Sequence, residues 1–189
     1  ERGFPIRVLF DVDPAKIEIL RSGTVPFYEP GLDEVLARNI AAGRLTFTTS
    51  FEEAAAFADV HFICVGTPQA AGAQKADMSQ VFGSVESLTP HLRPGALVVG
   101  KSTVPVGTAV QIEARLAKTA ADGVEVAWNP EFLREGFAVQ DTLHPDRLVV
   151  GVHSQRAEDL LREVYAPLIT DGVPFLVTDF PTAELVKVA

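Results

Sequence analysis

The sequence has little cysteine, few basic residues and no long apolar runs, and each shortage excludes a class of protein. Cys64 is the one cysteine, which excludes an internal disulfide framework and makes the reducing cytoplasm the expected compartment. Lysine and arginine total 16 against 25 acidic residues, so a net charge of −9 argues against a nucleic-acid partner. No apolar run approaches the roughly 20 residues that span a bilayer, so no membrane partner is expected, and no metal site is predicted.

The sequence also lacks a glycine-rich phosphate-binding loop. Asp11 ends a short run of apolar residues. In a dinucleotide-binding fold an acidic residue ends the second strand, so the run before Asp11 would be that second strand. A Gly-x-Gly-x-x-Gly loop would lie one strand and one helix earlier, yet the chain begins with Glu1-Arg2-Gly3-Phe4. We therefore expect the chain to be a fragment that lacks its first strand and this loop.

Apolar patterns along the 189 residues, 47% of them hydrophobic, alternate between strand and helix. Such alternation calls for right-handed crossovers and a parallel sheet covered on both faces. The predicted class is α/β, a Rossmann-like, doubly wound and mainly parallel sheet. Strands are predicted near residues 6–12, 45–48, 60–65, 96–100, 124–128, 148–152 and 175–177, with helices near 14–23, 32–43, 50–58, 77–92, 108–119 and 154–165 and from 182 onward.

Three polar features follow predicted strands, at the end of a parallel sheet where ligands bind. They begin at Asp11, Gly66 and Lys101, and they are expected to line one crevice. A carboxylate after the second strand hydrogen-bonds the adenine ribose and disfavours a 2′-phosphate, so Asp11 predicts NAD as the cofactor rather than NADP. The competing interpretation is that Asp11 is a turn former or a helix cap.

The segment from Asn129 to Gly136 predicts a strand that runs into a short helical turn with Asn129 as the N-cap. On such a turn Glu131 and Glu135 would share one face, and two neighbouring carboxylates suit general acid–base chemistry. The alternative is a helix start whose acidic residues complement the helix dipole. Cys64 falls inside the apolar run 60–65 and is predicted to be a small buried core residue.

Several ordered motifs together resemble the UDP-glucose/GDP-mannose dehydrogenase family across nearly the whole chain. Two of them, Tyr28-Glu29-Pro30-Gly31 and Lys101 to Gly107, look most like the members that oxidise UDP-glucose. The motifs are Phe10-Asp11-Val12-Asp13 with Lys16, Tyr28-Glu29-Pro30-Gly31-Leu32, Phe62 to Pro68, Lys101 to Thr108, Asn129 to Gly136, Pro145-Asp146-Arg147 and Ala183 to Lys187.

The resemblance implies NAD as cofactor, UDP-glucose as substrate and a homodimer. A C6 alcohol would become a carboxylate through a thiohemiacetal and a thioester on a cysteine outside this chain, with two NAD⁺ reduced. Residues 1–180 would form the NAD-binding domain, and 181–189 would begin a central dimerisation helix. By position, Asp11, Lys16, Thr67, Thr103 and Glu135 would bind the cofactor, Glu131, Phe132, Leu133, Arg134, Glu135 and Lys187 the substrate, and Thr103, Glu131 and Lys187 would act in catalysis.

Other functions remain open at this point. The chain could belong to a dehydrogenase of another nucleotide sugar, of the GDP-mannose or UDP-N-acetylmannosamine type, or to a non-catalytic NAD-binding module. A third candidate is a 6-phosphogluconate or hydroxyacid dehydrogenase, which has no need of the Asn129 to Leu133 motif. Without the resemblance, Thr67 and Thr103 would be interpreted as turn and cap hydroxyls, and Lys187 as a solvated helix residue.

Overall fold

A computed structural model of the chain describes residues 7–70, 72 and 75–187. These residues form two compact units: the described part of Glu1–Phe57 joins Leu133–Pro145 in the first unit, and Ala58–Phe132 joins the described part of Asp146–Ala189 in the second. The predicted strand start at Ile6, the segment Glu1 to Phe4 and the last two residues of 181–189 lie outside the described residues.

Strands and helices alternate along both units, as the apolar patterns predict. The strands are β1 (Arg7–Phe10), β2 (Leu45–Thr48), β3 (Val60–Ile63), β4 (Leu97–Gly100), β5 (Glu125–Trp128), β6 (Leu148–Val152) and β7 (Phe175–Thr178). The helices are α1 (Pro14–Arg21), α2 (Leu32–Ala41), α3 (Phe51–Phe57), α4 (Ser79–Leu88), α5 (Thr108–Thr119), α6 (Ala138–Leu143), α7 (Gln155–Val164), α8 (Ala166–Thr170) and α9 (Phe180–Leu185).

The first unit contains β1 and β2 as a parallel pair, with Arg7 opposite Leu45 and Phe10 opposite Thr48. Helix α1 starts at Pro14, whose missing N–H costs nothing at a first helical position, and Asp13 caps it by accepting a hydrogen bond from the Ala15 amide at 2.9 Å. This cap fixes the turn that leads away from the carboxyl end of β1.

The second unit is built on a five-stranded sheet in the order β3-β4-β5-β6-β7. All neighbouring pairs are parallel except β5 with β6, so the class is α/β with a mainly parallel sheet, as predicted. Its core is apolar, and helices α4, α5, α7 and α9 pack against its strands. The fully buried side chains at the centre of this core are Leu97, Val99, Ala127, Val150, Ala157 and Leu161.

Two glycines in this sheet allow unusually close packing. A Cβ at Gly100 would overlap the ring of Trp128, which is 1% exposed. A Cβ at Gly151 would lie 2.8 Å from the Ala183 Cβ and 2.8 Å from the Asp179 carbonyl oxygen. Helix α9 therefore lies directly against β6, which fixes the direction in which the chain approaches Lys187.

One predicted strand is too long and two helices were missed. Strand β3 ends at Ile63 instead of continuing to Val65, and the helices α6 and α8 were not predicted. Both helices have six residues or fewer, which is too short to show a clear 3.6-residue period. No helix within the described ranges has both the length and the apolar character needed to cross a membrane.

Candidate active site

The carboxyl ends of β3, β4 and β5 lie at the same edge of the sheet because these strands are parallel. Two backbone bonds continue the pairing just past the strands: the Lys101 amide donates to the Ile63 carbonyl at 2.9 Å, and the Asn129 amide donates to the Gly100 carbonyl at 2.8 Å. Loop residues that follow the three strands are thus brought together. The distances between these loops along the sequence do not by themselves show that the loops are close in space.

Glu131 and Lys187 form an ion pair with an O–N distance of 2.8 Å. Their side chains are 30% and 21% exposed, so the pair is partly shielded from water but open on one side. The Phe132 ring lies below two cations, 5.8 Å from the Lys187 ammonium and 4.7 Å from the Arg147 guanidinium. The structure therefore brings three of the predicted site residues together.

Thr67 and Thr103 also lie together. The Thr67 hydroxyl donates to the Thr103 carbonyl oxygen at 2.8 Å, and the Ser102 hydroxyl donates to the Val65 carbonyl oxygen at 2.6 Å. These two bonds tie the loop after β3 to the loop after β4. An open pocket of about 370 Å³ lies beside them, lined by Thr67, Ala76, Thr103, Val104, Pro105 and Val106.

Lys101 belongs to a polar network that the sequence did not reveal. Its ammonium donates to the side-chain oxygen of Asn129 at 3.1 Å, and the Tyr165 hydroxyl donates to the same oxygen at 2.5 Å. The Asn129 amide group donates to the Val149 carbonyl at 2.8 Å, and Asn129 is 1% exposed. Burial lowers the pKa of Lys101, and the charge of Lys187 lowers it further, while Cys64 and Glu131 oppose the shift.

The helical turn predicted for Asn129 to Gly136 is wrong. Residues 129–134 follow an irregular path, a turn comes at 135–136, and helix α6 begins at Ala138. Asn129 caps no helix because its side chain is bound to Lys101, Tyr165 and Val149. Glu131 and Glu135 consequently do not share a helical face, and they belong to different compact units.

Cys64 is exposed, so its prediction as a buried core residue is also wrong. Because β3 stops at Ile63, Cys64 lies in the loop that follows the strand. The surrounding protein still desolvates the thiol and raises its pKa, although the charge of Lys101 acts in the opposite direction. The thiol is therefore accessible but largely protonated at neutral pH.

Asp11 and Lys16 lie together in the first unit, with the Lys16 ammonium 3.1 Å from the Asp11 carboxylate. The other Asp11 oxygen accepts from the Asp13 amide at 2.9 Å. The Asp11 side chain is 28% exposed and that of Lys16 is 51% exposed, so both remain accessible from solvent. This arrangement has the negative charge and the free surface that binding of ribose hydroxyls requires.

Leu133, Arg134 and Glu135 also belong to the first unit. Arg134 makes a two-point ion pair with Asp141 at 2.6 and 3.1 Å, and hydrogen bonds from Arg134 lower the pKa of Asp141. Leu133 is 40% exposed, and Glu135 is exposed. These contacts with Asp141 give Arg134 a role in holding α6, in addition to its predicted role in substrate binding.

Glu29 and Glu184 are buried carboxylates whose roles the sequence did not reveal. Glu29, 8% exposed, accepts from the amides of Gly136 and Ala138 at 3.0 and 2.7 Å within the first unit. Glu184, 1% exposed, accepts from the amides of Gly107 and Ala109 at 2.6 Å each, at the N-terminus of α5. Each carboxylate supplies acceptors to a helix start that would otherwise have unpaired donors.

The described residues contain no cluster of three or more histidine, cysteine, aspartate or glutamate side chains that could hold a metal ion.

Comparison with known proteins decides the family. The NAD-binding domain model of the UDP-glucose/GDP-mannose dehydrogenase family matches residues 2–169. The chain belongs to this family. The family, the Rossmann-like fold and NAD as the cofactor of this domain are thereby confirmed as predicted.

Curated relatives align with nearly the whole length of this chain. A UDP-glucose 6-dehydrogenase of Rhizobium meliloti is 45% identical over 186 residues, which are 96% of this chain and 42% of that protein. One from Bacillus subtilis is 41% identical over 181 residues, or 95% of this chain and 40% of that protein. The chain thus spans about two fifths of the length of these relatives.

Solved structures of the family agree with the fold. A UDP-glucose dehydrogenase of Pyrobaculum islandicum superposes with a TM-score of 0.89 at 43% identity, over 95% of this chain and 42% of that chain. A GDP-mannose dehydrogenase of Pseudomonas aeruginosa gives 0.86 at 33% identity, over 96% and 42%. The family domain therefore occurs in enzymes that are named for different nucleotide sugars.

Proposed function

We propose that the protein containing this chain oxidises the C6 hydroxyl of a nucleotide sugar to a carboxylate, with UDP-glucose as substrate and two NAD⁺ reduced per sugar. The ion pair of Glu131 with Lys187 at 2.8 Å carries this proposal. Oxidation of an alcohol needs a group that accepts a proton, and the developing oxyanion needs a fixed positive charge. The pair supplies both functions at one place.

The surrounding residues suit these roles. The Lys187 ammonium favours the ionised form of Glu131, which is the form that accepts a proton or activates a water. Phe132 lies below Lys187 and limits its positions. Thr103 borders the pocket beside Thr67, and its hydroxyl is proposed to position the water or the dinucleotide.

In this proposal NAD⁺ is bound by the residues that the family resemblance assigns to it. Asp11 and Lys16 would bind the adenine ribose, and Thr67, Thr103 and Glu135 would contact the rest of the dinucleotide. The cofactor supplies the hydride acceptor when it is bound. The substrate would contact Glu131, Phe132, Leu133, Arg134, Glu135 and Lys187.

We propose UDP-glucose, and not another nucleotide sugar, as the substrate because the relatives at 41% and 45% identity are named for it. The GDP-mannose enzyme of known structure is 33% identical, and a UDP-N-acetylmannosamine enzyme of Staphylococcus aureus is 24% identical. The same proposal includes residues 1–180 as the NAD-binding domain, 181–189 as the start of a central dimerisation helix, a homodimer and a cytoplasmic location.

The experiment is an assay of the full-length protein with NAD⁺ and, separately, UDP-glucose, GDP-mannose and UDP-N-acetylmannosamine. We expect the highest kcat/KM for UDP-glucose and two NADH per sugar consumed. One NADH per sugar would contradict the four-electron oxidation, and a higher kcat/KM for another sugar would contradict the substrate. NAD⁺ binding in calorimetry without turnover of any of the three would favour a non-catalytic module.

A further inference from the structure

The network of Lys101, Asn129 and Tyr165 has no role in the proposed function so far, although it adjoins the Glu131–Lys187 pair. Lysine is rarely buried without an anionic partner, because desolvation of an ammonium is costly. Lys101 is partly buried, and its ammonium donates to the neutral side chain of Asn129 at 3.1 Å. A partly buried cation held by a neutral amide calls for an explanation other than fold stability.

The geometry of the network fixes the direction of the Lys101 side chain. Asn129 is 1% exposed, and its amide group is bound to the Val149 carbonyl, so its side-chain oxygen cannot turn away. The Tyr165 hydroxyl, from the end of α7, donates to the same oxygen at 2.5 Å. Asn129 thus connects the loop after β5, strand β6 and helix α7 to one ammonium group.

The charged and titratable groups facing Lys101 come from three elements: Cys64 after β3, Glu131 after β5 and Lys187 after α9. Two cations and one carboxylate give this cluster an excess of positive charge while Cys64 is protonated. Lys187 contacts Glu131 directly, and Lys101 interacts with the same carboxylate electrostatically while its ammonium is held by Asn129. A second cation of this kind strengthens the positive field where a carboxylate or oxyanion develops.

We propose that Lys101, fixed by Asn129 and Tyr165, is a positioning residue that holds Glu131 ionised and oriented beside Lys187. This inference rests on the proposed function, because Glu131 is the group through which Lys101 acts. Lys101 itself need not touch the substrate or NAD⁺.

The test uses the full-length protein with Lys101→Met, which removes the charge but keeps an unbranched apolar stem. We expect kcat with UDP-glucose and NAD⁺ to fall about tenfold while KM changes less than about twofold, since the lost field acts on the reacting carboxylate. The acid limb of the kcat profile should move to higher pH by roughly half a unit or more, because Glu131 loses a neighbouring positive charge.

Two further variants separate positioning from folding. Tyr165→Phe removes one hydroxyl from Asn129 and should shift the acid limb in the same direction by a smaller amount. Lys118→Met removes an exposed lysine of α5 and is the matched control for charge, with an unchanged profile expected. If Lys101→Met lowers thermal stability but leaves the acid limb in place, Lys101 is a structural cation and the inference is wrong.

A second measurement does not depend on turnover. Acetic anhydride labels neutral amines, so the pH dependence of Lys101 labelling, quantified by peptide mass analysis, reports its protonation. The Glu131→Gln variant removes a carboxylate that favours the ammonium, so half-maximal labelling of Lys101 should occur at lower pH than in the wild type. An unchanged midpoint would overturn the inference, even if no sugar is oxidised and the proposed function itself fails.

Discussion

Cys64 and Lys101 show how the surroundings at the carboxyl end of the sheet shift the pKa values of ionisable side chains. Desolvation by the surrounding protein is the largest cause of both pKa shifts: it raises the pKa of the Cys64 thiol and lowers the pKa of the Lys101 ammonium. Both shifts disfavour the charged forms, so a thiolate–ammonium pair is not stabilised here. This part of the site therefore favours carboxylate chemistry at Glu131 over nucleophilic chemistry at Cys64.

Under the proposed function, Glu131→Gln in the full-length protein should block hydrolysis of the proposed thioester more strongly than it weakens substrate binding. An amide keeps the shape of the side chain but cannot accept a proton. We expect kcat to fall by about 100-fold or more, with a thioester adduct visible by intact-mass analysis. A rise in KM without any adduct would assign Glu131 to binding.

Asp11 should determine the preference for NAD⁺ over NADP⁺. Its carboxylate lies 28% exposed beside Lys16, where a 2′-phosphate would meet its negative charge. Asp11→Asn removes the charge, and we expect the ratio of kcat/KM values for the two cofactors to fall by about tenfold or more. The measurement is a pair of initial-rate series with each cofactor. Equal use of NADP⁺ by the wild-type protein would contradict the assignment.

At the scale of elements, the order of strands and helices follows from apolar patterns, whereas long-range polar contacts do not. Ser50 accepts a hydrogen bond from the Glu53 amide at 3.2 Å, a contact between residues only three apart at the start of α3. Glu184, in contrast, binds amides 75 and 77 residues away, and no local pattern marks it. The motifs that resemble the family identified most candidate site residues, but they did not reveal the network around Asn129.

Glu184 should stabilise the contact between α9 and the N-terminus of α5. Glu184→Leu leaves the Gly107 and Ala109 amides without their acceptors, which costs about 2–5 kcal/mol when two buried donors lose their partners. Thermal unfolding followed by calorimetry should show a clear decrease in Tm. Glu163→Leu, at an exposed position of α7, is the control, and an equal decrease for both variants would contradict this role.

His61 in β3 should make the protein sensitive to acid. Its Nε2 atom is buried and has no hydrogen-bond partner among the described residues, and burial lowers the pKa of the ring, although Asp59 opposes the shift. On acidification the unfolded chain binds the proton first, so the stability present above the ordinary histidine pKa of 6.5 is lost as the pH falls below it.

The measurement for His61 is Tm between pH 8 and pH 5 for the wild type and for His61→Phe. The difference between the two Tm curves isolates His61 from the other titrating groups. We expect the wild type to lose more stability than the variant over this range. Parallel curves would show that His61 accepts its proton without opposition from the fold.

At the scale of the whole chain, residues 1–189 expressed alone should form no NADH from UDP-glucose. Cys64 is the sole thiol in the sequence, and its raised pKa leaves little thiolate for attack on an aldehyde. The assay compares this polypeptide with its Cys64→Ala variant and with the full-length protein. Turnover that depends on Cys64 would require a different mechanism, built around the loop after β3.

The bonds of Glu29 to Gly136 and Ala138 join parts of the first unit that are 107 and 109 residues apart. During translation, at roughly 5–20 residues per second, β1 and β2 emerge about 5–20 s before the segment that completes their unit. In that interval the Glu29 carboxylate has no backbone partners and stays hydrated. The second unit starts at Ala58, so its segment Ala58–Phe132 is synthesised before the first unit can close.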